Sequence, residues 1–386
     1  MTASKRDVVV TGLALKTALG DSATVNWSRL MAGESAIALR QPFLDLSPGP
    51  LAMCGKKPLN LESLTQKLAR DAWANAGFES SAGGHHCASV VGSSRSHLQS
   101  LETMAWQHRQ TPGNVGGDWI QSLAHGPALT AARAVGATGP LLAPMAACAT
   151  GVWAVAQAAE LIRRGECTRA IAGAVESPIT RLTLAGFRKM GALATTGCYP
   201  FDVAREGFVL GEGGALMVLE SAKSAVARGA KIYGRVLGAG ITNDSHHVSS
   251  FDPSYEMGMR SLDLCLQRSN LKTTDIDAVH THGTSTVQND RMEAALIASM
   301  LDLQVPVMAS KGATGHTLGA SGAVIVALGL LSLQQQTVLP CVGLQTTEFS
   351  LNFVRRQRRT VLRQLLCFSF GFGGQNAVLA LGSANN

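Results

Sequence analysis

An α/β fold is what this sequence predicts, and three observations predict it. Short apolar and β-branched runs alternate with longer segments of helical periodicity along the whole chain, the pattern of helices laid over a sheet. No Pro- or Ser-rich linker and no short-period repeat interrupts that alternation, which sets aside a flexible domain boundary and a solenoid. The 386 residues are 46% hydrophobic and only 15% charged, enough apolar material for two domains or for one large domain of two halves.

In chain order, the apolar runs predict strands over residues 8–11, 88–92, 170–175, 215–219, 232–237, 278–281, 305–309, 365–370 and 377–381. Helical periodicity falls between them, over 151–164, 221–228, 257–268 and 319–334. In the first of these helices Val152, Val155, Ala156, Ala159 and Ile162 share one face, and Arg163, Arg164 and Gly165 close it as a helix C-terminus should be closed. The stretch from Gly319 to Leu333 is the most membrane-like, but it is too short to span and rich in Gly, Ala and Ser, which predicts a buried helix.

Composition excludes several function classes. Cys54, Cys87, Cys148, Cys167, Cys198, Cys265, Cys341 and Cys367 form no C-x-x-C pair, so zinc and dithiol redox chemistry have no motif. Reduced thiols, together with the absence of a secretory pattern over the first twenty residues, predict a cytoplasmic protein. The net charge is +7, which fits an acidic partner drawn in by a long-range field. The dense basic cluster Arg355-Arg356-Gln357-Arg358-Arg359 has no aromatic stripe beside it, so nucleic acid is not expected. Gly371-Phe372-Gly373-Gly374-Gln375-Asn376 starts like a dinucleotide fingerprint but lacks its last Gly, so no nicotinamide or flavin is expected. His246-His247 has no third ligand at a matching spacing, so no metal is expected either.

Three segments carry chemistry. Cys148 sits among small residues directly before the helix at 151–164, where unpaired N–H groups and the helix dipole favour a thiolate and should depress the thiol pKa. A buried Cys packing as a small hydrophobe is the plain alternative. His282 and His316 each follow an apolar strand, in Val279-His280-Thr281-His282-Gly283-Thr284 and Ser310-Lys311-Gly312-Ala313-Thr314-Gly315-His316. Strand ends that open into polar loops are where α/β proteins place catalytic groups. Two neutral imidazoles there could donate to a thioester carbonyl and stabilise an enolate. His280 lies inside its strand and reads as structural. The loop Phe370-Gly371-Phe372-Gly373-Gly374 could supply N–H groups to an oxyanion hole; a tight β-hairpin remains an open reading of the same residues.

These segments stand in a longer ordered series: Val8-Val9-Val10-Thr11-Gly12-Leu13, Trp27, Gly33-Glu34-Ser35-Ala36-Ile37, Ala146 to Gly151, Ala172-Gly173-Ala174-Val175-Glu176, Pro200-Phe201-Asp202, Glu206 to Gly213, Arg228-Gly229-Ala230, His282 to Thr286, Lys311 to His316 and Phe370 to Gly374. Nearly end to end, the series resembles the β-ketoacyl-acyl-carrier-protein synthases of the elongating class, within the thiolase-fold superfamily. The resemblance implies a five-layered αβαβα fold of two similar βαβαβαββ halves, here residues 1–230 and 231–386. It implies that Cys148 receives an acyl chain from an acyl carrier protein. His282 and His316 would then hold a malonyl thioester and promote loss of carbon dioxide, with Lys311 tuning them. Backbone N–H groups of Cys148 and Phe372 would form the oxyanion hole, and Phe372 would gate access. Thr284, Thr286, Phe187 and Phe370 would contact substrate, and Lys67, Arg70, Arg188 and Lys189 would dock the carrier. It implies no metal and no cofactor beyond the carrier's phosphopantetheine, and a homodimer or a heterodimer with a second synthase-like subunit.

Four departures accompany it. Ile325 replaces the acidic residue that usually pairs with the lysine at Lys311, which leaves Glu293 or Asp290 as the expected acceptor. Val287-Gln288-Asn289-Asp290 stands for Pro-x-Gly-Asp, Phe368 for an Asn, and Gln375 for a Thr. They predict a specialised polyene or polyketide synthase, and they leave open a second function class, a non-catalytic chain-length factor that shapes the pocket of a paired synthase.

Overall fold

The run Val8–Thr17 (β1) is apolar on both faces and buried along almost its whole length, as a strand lying between helical layers must be. The computed structural model describes residues 7–79, 86–113, 116 and 119–384. After β1 come α1 (Ala23–Met31), a hairpin of β2 (Ala38–Arg40) and β3 (Gly49–Leu51), and α2 (Leu61–Asn75). Next are β4 (Cys87–Gly92), α3 (Leu98–Gln110), α4 (Gly126–Val135), β5 (Leu141–Leu142), α5 (Thr150–Arg164) and β6 (Arg169–Glu176). The chain continues through α6 (Arg181–Lys189), β7 (Gly213–Ser221), α7 (Ala222–Ala227), β8 (Gly234–Asn243), α8 (Glu256–Ser269) and β9 (Ala278–His280). It ends with α9 (Val287–Met300), β10 (Val307–Met308), α10 (Lys311–Thr314), α11 (Ser321–Gln335), β11 (Thr337–Val338), β12 (Arg358–Arg359), β13 (Gln364–Gly371) and β14 (Gln375–Gly382).

The large sheet has the order β10-β9-β13-β14-β8-β1-β7-β6-β4-β5. Read outward from the central β8–β1 pair, its two sides repeat one pattern. On each side two antiparallel pairings are followed by two parallel ones: β1–β7–β6–β4–β5 and β8–β14–β13–β9–β10. The junction is short, with Val8 opposite Val236, Val9 opposite Arg235 and Val10 opposite Gly234. Helices α5 and α11 pack on each other and on strands of both sides, α2 and α4 cover β1, β4, β6 and β7, and α8 covers β8 and β14. The result is five layers, αβαβα, as the resemblance implies. The two central helices touch backbone to backbone. A Cβ on Gly151 would come within 2.1 Å of the Ala323 nitrogen, so only Gly allows the contact.

Every strand read from the sequence is present, though the run at 305–309 pairs only as Val307–Met308. The apolar stretch near 319–333 is α11, buried on all sides between the half-sheets. Helices α1, α2, α3, α4, α6 and α9 were not evident in the sequence pattern. In α9 the buried face is partly Asn289, Asp290 and Glu293, and α3 buries no residue at all, so neither shows the usual apolar stripe.

Candidate active site

Cys148 lies two residues before α5, after a turn in which Ala147 takes φ 45°, a left-handed conformation that costs an L-residue energy. The turn is held from both sides. Thr150 Oγ1 donates to the Ala147 carbonyl at 2.6 Å and accepts from the Ala146 N–H at 2.9 Å. The Cys148 carbonyl accepts from Ser369 Oγ at 3.0 Å and Ser321 Oγ at 3.5 Å. Strand β13 passes so close that a Cβ on Gly371 would lie 2.9 Å from the Cys148 nitrogen. The glycine loop is a tight hairpin turn between β13 and β14, and it brings the Phe372 N–H close enough to the Cys148 sulfur to pull its pKa down.

The expected low thiol pKa is not what the structure gives. Burial pushes the Cys148 thiol up to about 11, against the charges of Lys311 and Arg95 and the Phe372 N–H, which pull it down. Loss of water around the sulfur outweighs the helix end. Cys148 therefore rests as a thiol, and to act as a nucleophile it would need a neighbouring base.

Two bases stand beside it. Donor atoms of Cys148, His282 and His316 all lie within 4.8 Å of one another, and the two imidazole rings meet edge-on, 5.2 Å between centroids. Burial and the nearby Lys311 charge hold both histidines well below the ordinary imidazole pKa, so both are neutral at neutral pH. Lys311 Nζ is 3.3 Å from His282 Nδ1. An amine head paired this way donates, so Nδ1 accepts and the ring proton sits on Nε2. His316 is fixed by its backbone, its N–H donating to the Val209 carbonyl at 2.6 Å and its carbonyl accepting from Gly211 at 2.9 Å. His280 stays inside β9, off the cavity, with Nε2 3.1 Å from Ser310 Oγ.

Lys311 finds its acceptor elsewhere than expected. Neither Glu293 nor Asp290 hydrogen-bonds to it among the described residues; it donates to the His282 carbonyl and approaches His282 Nδ1. Burial lowers its pKa, and Glu293 is the strongest charge opposing that. Glu293 instead accepts from the N–H groups of His282 and Gly283, both at 2.6 Å, and from Asn289 Nδ2 at 2.8 Å. Asp290 accepts from Phe201 and Ser285. Ile325 is simply core, 1% exposed. Glu293 and Lys311 thus grip the N–H and the carbonyl of the same residue, His282. We expect Glu293→Ala and Lys311→Ala each to lower kcat/KM on the order of 10²-fold, the size of a slight misplacement of a catalytic group. The double variant should be little worse than either, and losses that multiply in steady-state assays would show two independent roles.

A cavity of about 420 Å³ opens onto this cluster, with Phe208, Phe370 and Phe372 beside Cys148, His282 and His316, and Thr284 and Thr286 in its wall. The two threonine hydroxyls are 2.8 Å apart. Phe187 stands behind, its ring centroid 5.1 Å from that of Phe208 and 6.2 Å from that of Phe372. A larger groove of about 650 Å³ between α5 and β8 holds none of these residues. Of the basic residues, Arg188 and Lys189 end α6 immediately before Met190 and Gly191, which line the cavity; Lys67 and Arg70 are exposed on α2, which contributes nothing to it. The sulfur and two imidazoles are also a possible metal-ligand set, but Lys311 puts a like charge against any cation there. The contributions of Thr150, Ser321, Ser369 and Phe208 were not legible in the sequence. These are ordinary residue types whose role comes only from contacts with distant segments.

The comparisons agree with this geometry. Residues 61–225 match the family described as Beta-ketoacyl synthase, N-terminal domain, and residues 233–345 match Beta-ketoacyl synthase, C-terminal domain. The 3-oxoacyl-[acyl-carrier-protein] synthase 2 of Mycobacterium bovis is 33% identical, covering 97% of this chain and 97% of that protein. Among solved structures, the ishigamide ketosynthase/chain length factor superposes with TM-score 0.90 at 26% identity, covering 99% of this chain and 100% of that one. A type II polyketide acyl-carrier protein in complex with its ketosynthase bound to the hexaketide gives TM-score 0.92 at 24% identity, covering 98% and 100%, a likeness of fold. With relatives of that identity over nearly its full length and a thiolase-like architecture, this chain belongs to the β-ketoacyl synthase family of condensing acyltransferases.

Proposed function

We propose that the protein extends acyl chains by decarboxylative Claisen condensation with malonyl-acyl-carrier protein, using Cys148, His282 and His316. The observation that carries this is the convergence of the Cys148 sulfur and both imidazoles within 4.8 Å, with the Phe372 N–H directed at the sulfur. In the first half-reaction an imidazole takes the Cys148 proton and the sulfur attacks the carrier thioester. The N–H groups of Cys148 and Phe372 hold the oxyanion. The carrier's C–S bond breaks and its thiol leaves with the proton. Phe372, at the turn of the β13–β14 hairpin, gates the acyl chain. In the second half-reaction His282 and His316 donate to the malonyl thioester carbonyl, and carbon dioxide departs. The resulting enolate attacks the acyl carbon, and the bond to Cys148 breaks to leave a thiolate that takes up a proton from solvent to restore the thiol. Thr284 and Thr286 hold the phosphopantetheine arm, Phe187 and Phe370 contact the chain, and Lys311 tunes the histidines. No metal and no further cofactor takes part.

The division into residues 1–230 and 231–386 is proposed with it, supported by the repeated strand order on either side of the β1–β8 pair. A polyene or polyketide pathway is supported by Ile325, Phe368 and Gln375 at departures from the usual pattern. A cytoplasmic location is supported by eight free thiols. Dimerisation is supported by exposed apolar residues in two places: Leu101 and Trp106 on α3, which buries no residue, with Trp119 and Ile120 in the short turn that packs on it, and Leu141 and Leu142 on the sheet's edge strand β5. Trp106→Glu should convert a dimer into a monomer in sedimentation; a wild-type monomer would rule the dimer out.

The acidic partner expected for a protein of charge +7 is the carrier protein, docked by Lys67, Arg70, Arg188 and Lys189. Reversing Arg188 and Lys189, beside the cavity mouth, should raise KM for the carrier-bound substrate by roughly threefold to tenfold and flatten its salt dependence. An unchanged KM and salt slope would remove them from the docking face. Intact mass after incubation with acyl-carrier protein thioester tests the whole reading. An acyl adduct on Cys148 supports it; no adduct favours the second reading, a chain-length factor paired with an active synthase.

A further inference from the structure

Arg95 carries a charge that the steps above do not use. It lies in the loop after β4, and its guanidinium carbon is 4.9 Å from the centre of the Phe187 ring. Phe187 is 4% exposed and packs in an apolar cluster with Cys148, Ile179, Leu184, Phe208 and Leu318. The guanidinium therefore stacks on a ring of the apolar cluster that holds Cys148, one side chain behind the cavity-lining Phe208 and Phe372, and its charge is felt at the Cys148 sulfur.

Among the described residues the Arg95 guanidinium has no ion pair and no hydrogen bond. Glu176, the carboxylate in its own loop, takes the Arg95 backbone N–H at 3.1 Å. The rest of its capacity is filled by Ser93 Oγ, Ser94 N–H and Oγ, and Gly319 N–H. Arg95 is half-buried, so an acyl chain that runs from the cavity past Phe187 displaces water from a cation with five donors to satisfy. A saturated chain offers it no acceptor, and stripping water from an uncompensated charge is unfavourable. A chain bearing keto or carboxylate oxygens offers charge-assisted hydrogen bonds in exchange.

We propose that Arg95 selects the acyl chain loaded onto Cys148, favouring chains that carry hydrogen-bond-accepting oxygens over saturated alkyl chains of the same length. The proposal rests on the reading of Cys148 as the acyl acceptor. The test measures Cys148 acylation by intact mass with three N-acetylcysteamine thioesters of equal carbon count: a saturated acyl group, a keto-bearing one, and one ending in a carboxylate. Wild type should load an oxygen-bearing chain at least about tenfold faster, the size a hydrogen bond to a charged group gives. The keto and carboxylate arms tell hydrogen bonding from charge pairing. Arg95→Met should bring the ratio to about one or invert it, and Arg95→Lys should keep part of the preference. Equal loading of all three chains by wild type overturns the proposal, as does an unchanged ratio in Arg95→Met. If no thioester loads wild type at all, the acyl-acceptor reading fails together with it; loading without selection sinks the selection alone.

Discussion

Cys148→Ala is expected to abolish condensation, with a fall on the order of 10⁴-fold or more, as when a covalent nucleophile is removed elsewhere. No other thiol can replace it. Among the described residues Cys148 alone of the cysteines lies with two imidazoles. Cys198 is the other thiol whose charge couples to Lys311, but it faces the Thr284 carbonyl and is pushed up to about 12 by burial. The alanine is smaller than the thiol, and its turn is held by Thr150, Ser321 and Ser369 through backbone atoms, so the fold should persist. Circular dichroism checks that point, and chain extension from labelled malonyl-acyl-carrier protein checks the loss. Undiminished extension would sink the mechanism. Cys148→Gln is a companion case. Its amide imitates the acyl thioester, and decarboxylation without condensation is the expected result.

His282→Ala and His316→Ala are expected to separate the two half-reactions. Negative charge builds on the malonyl thioester oxygen only during decarboxylation, and two neutral N–H donors are worth most there. Each substitution should lower carbon dioxide release by about 10² to 10³, the loss typical of one oxyanion donor. Acyl transfer to Cys148 should suffer less, because either remaining imidazole can accept the thiol proton and the Phe372 N–H still faces the sulfur. Both rings are held neutral by burial and by Lys311. The imidazoles themselves therefore contribute no acid limb near neutral pH; an acid limb there belongs to Glu293, which grips the His282 N–H and which burial pushes up to about 7. Measuring carbon dioxide release and Cys148 acylation side by side checks the division; equal loss of both argues against it.

What was legible in the chain followed from local chemistry. Apolar runs between turn residues marked every strand of the large sheet except the exposed two-residue edge strand β5, because a strand buried on both faces must be apolar throughout. Cys148 before a helix, and His282 and His316 after strands, were readable because short-range order places them at element ends. Tertiary structure alone decided the rest. The repeated strand order depends on pairings between segments up to hundreds of residues apart, such as Val8 with Ser221 and with Val236. The turn before α5 is completed by Ser321 and Ser369, which arrive from the other half of the chain. The helix end argued for an acidic thiol, yet burial raised it, because desolvation is a property of the packed core and not of neighbours in sequence. The acidic partner sought for Lys311 proved to be a backbone carbonyl, with Glu293 holding the other side of the same residue. A carbonyl carries no residue signature, so no sequence pattern could have announced it.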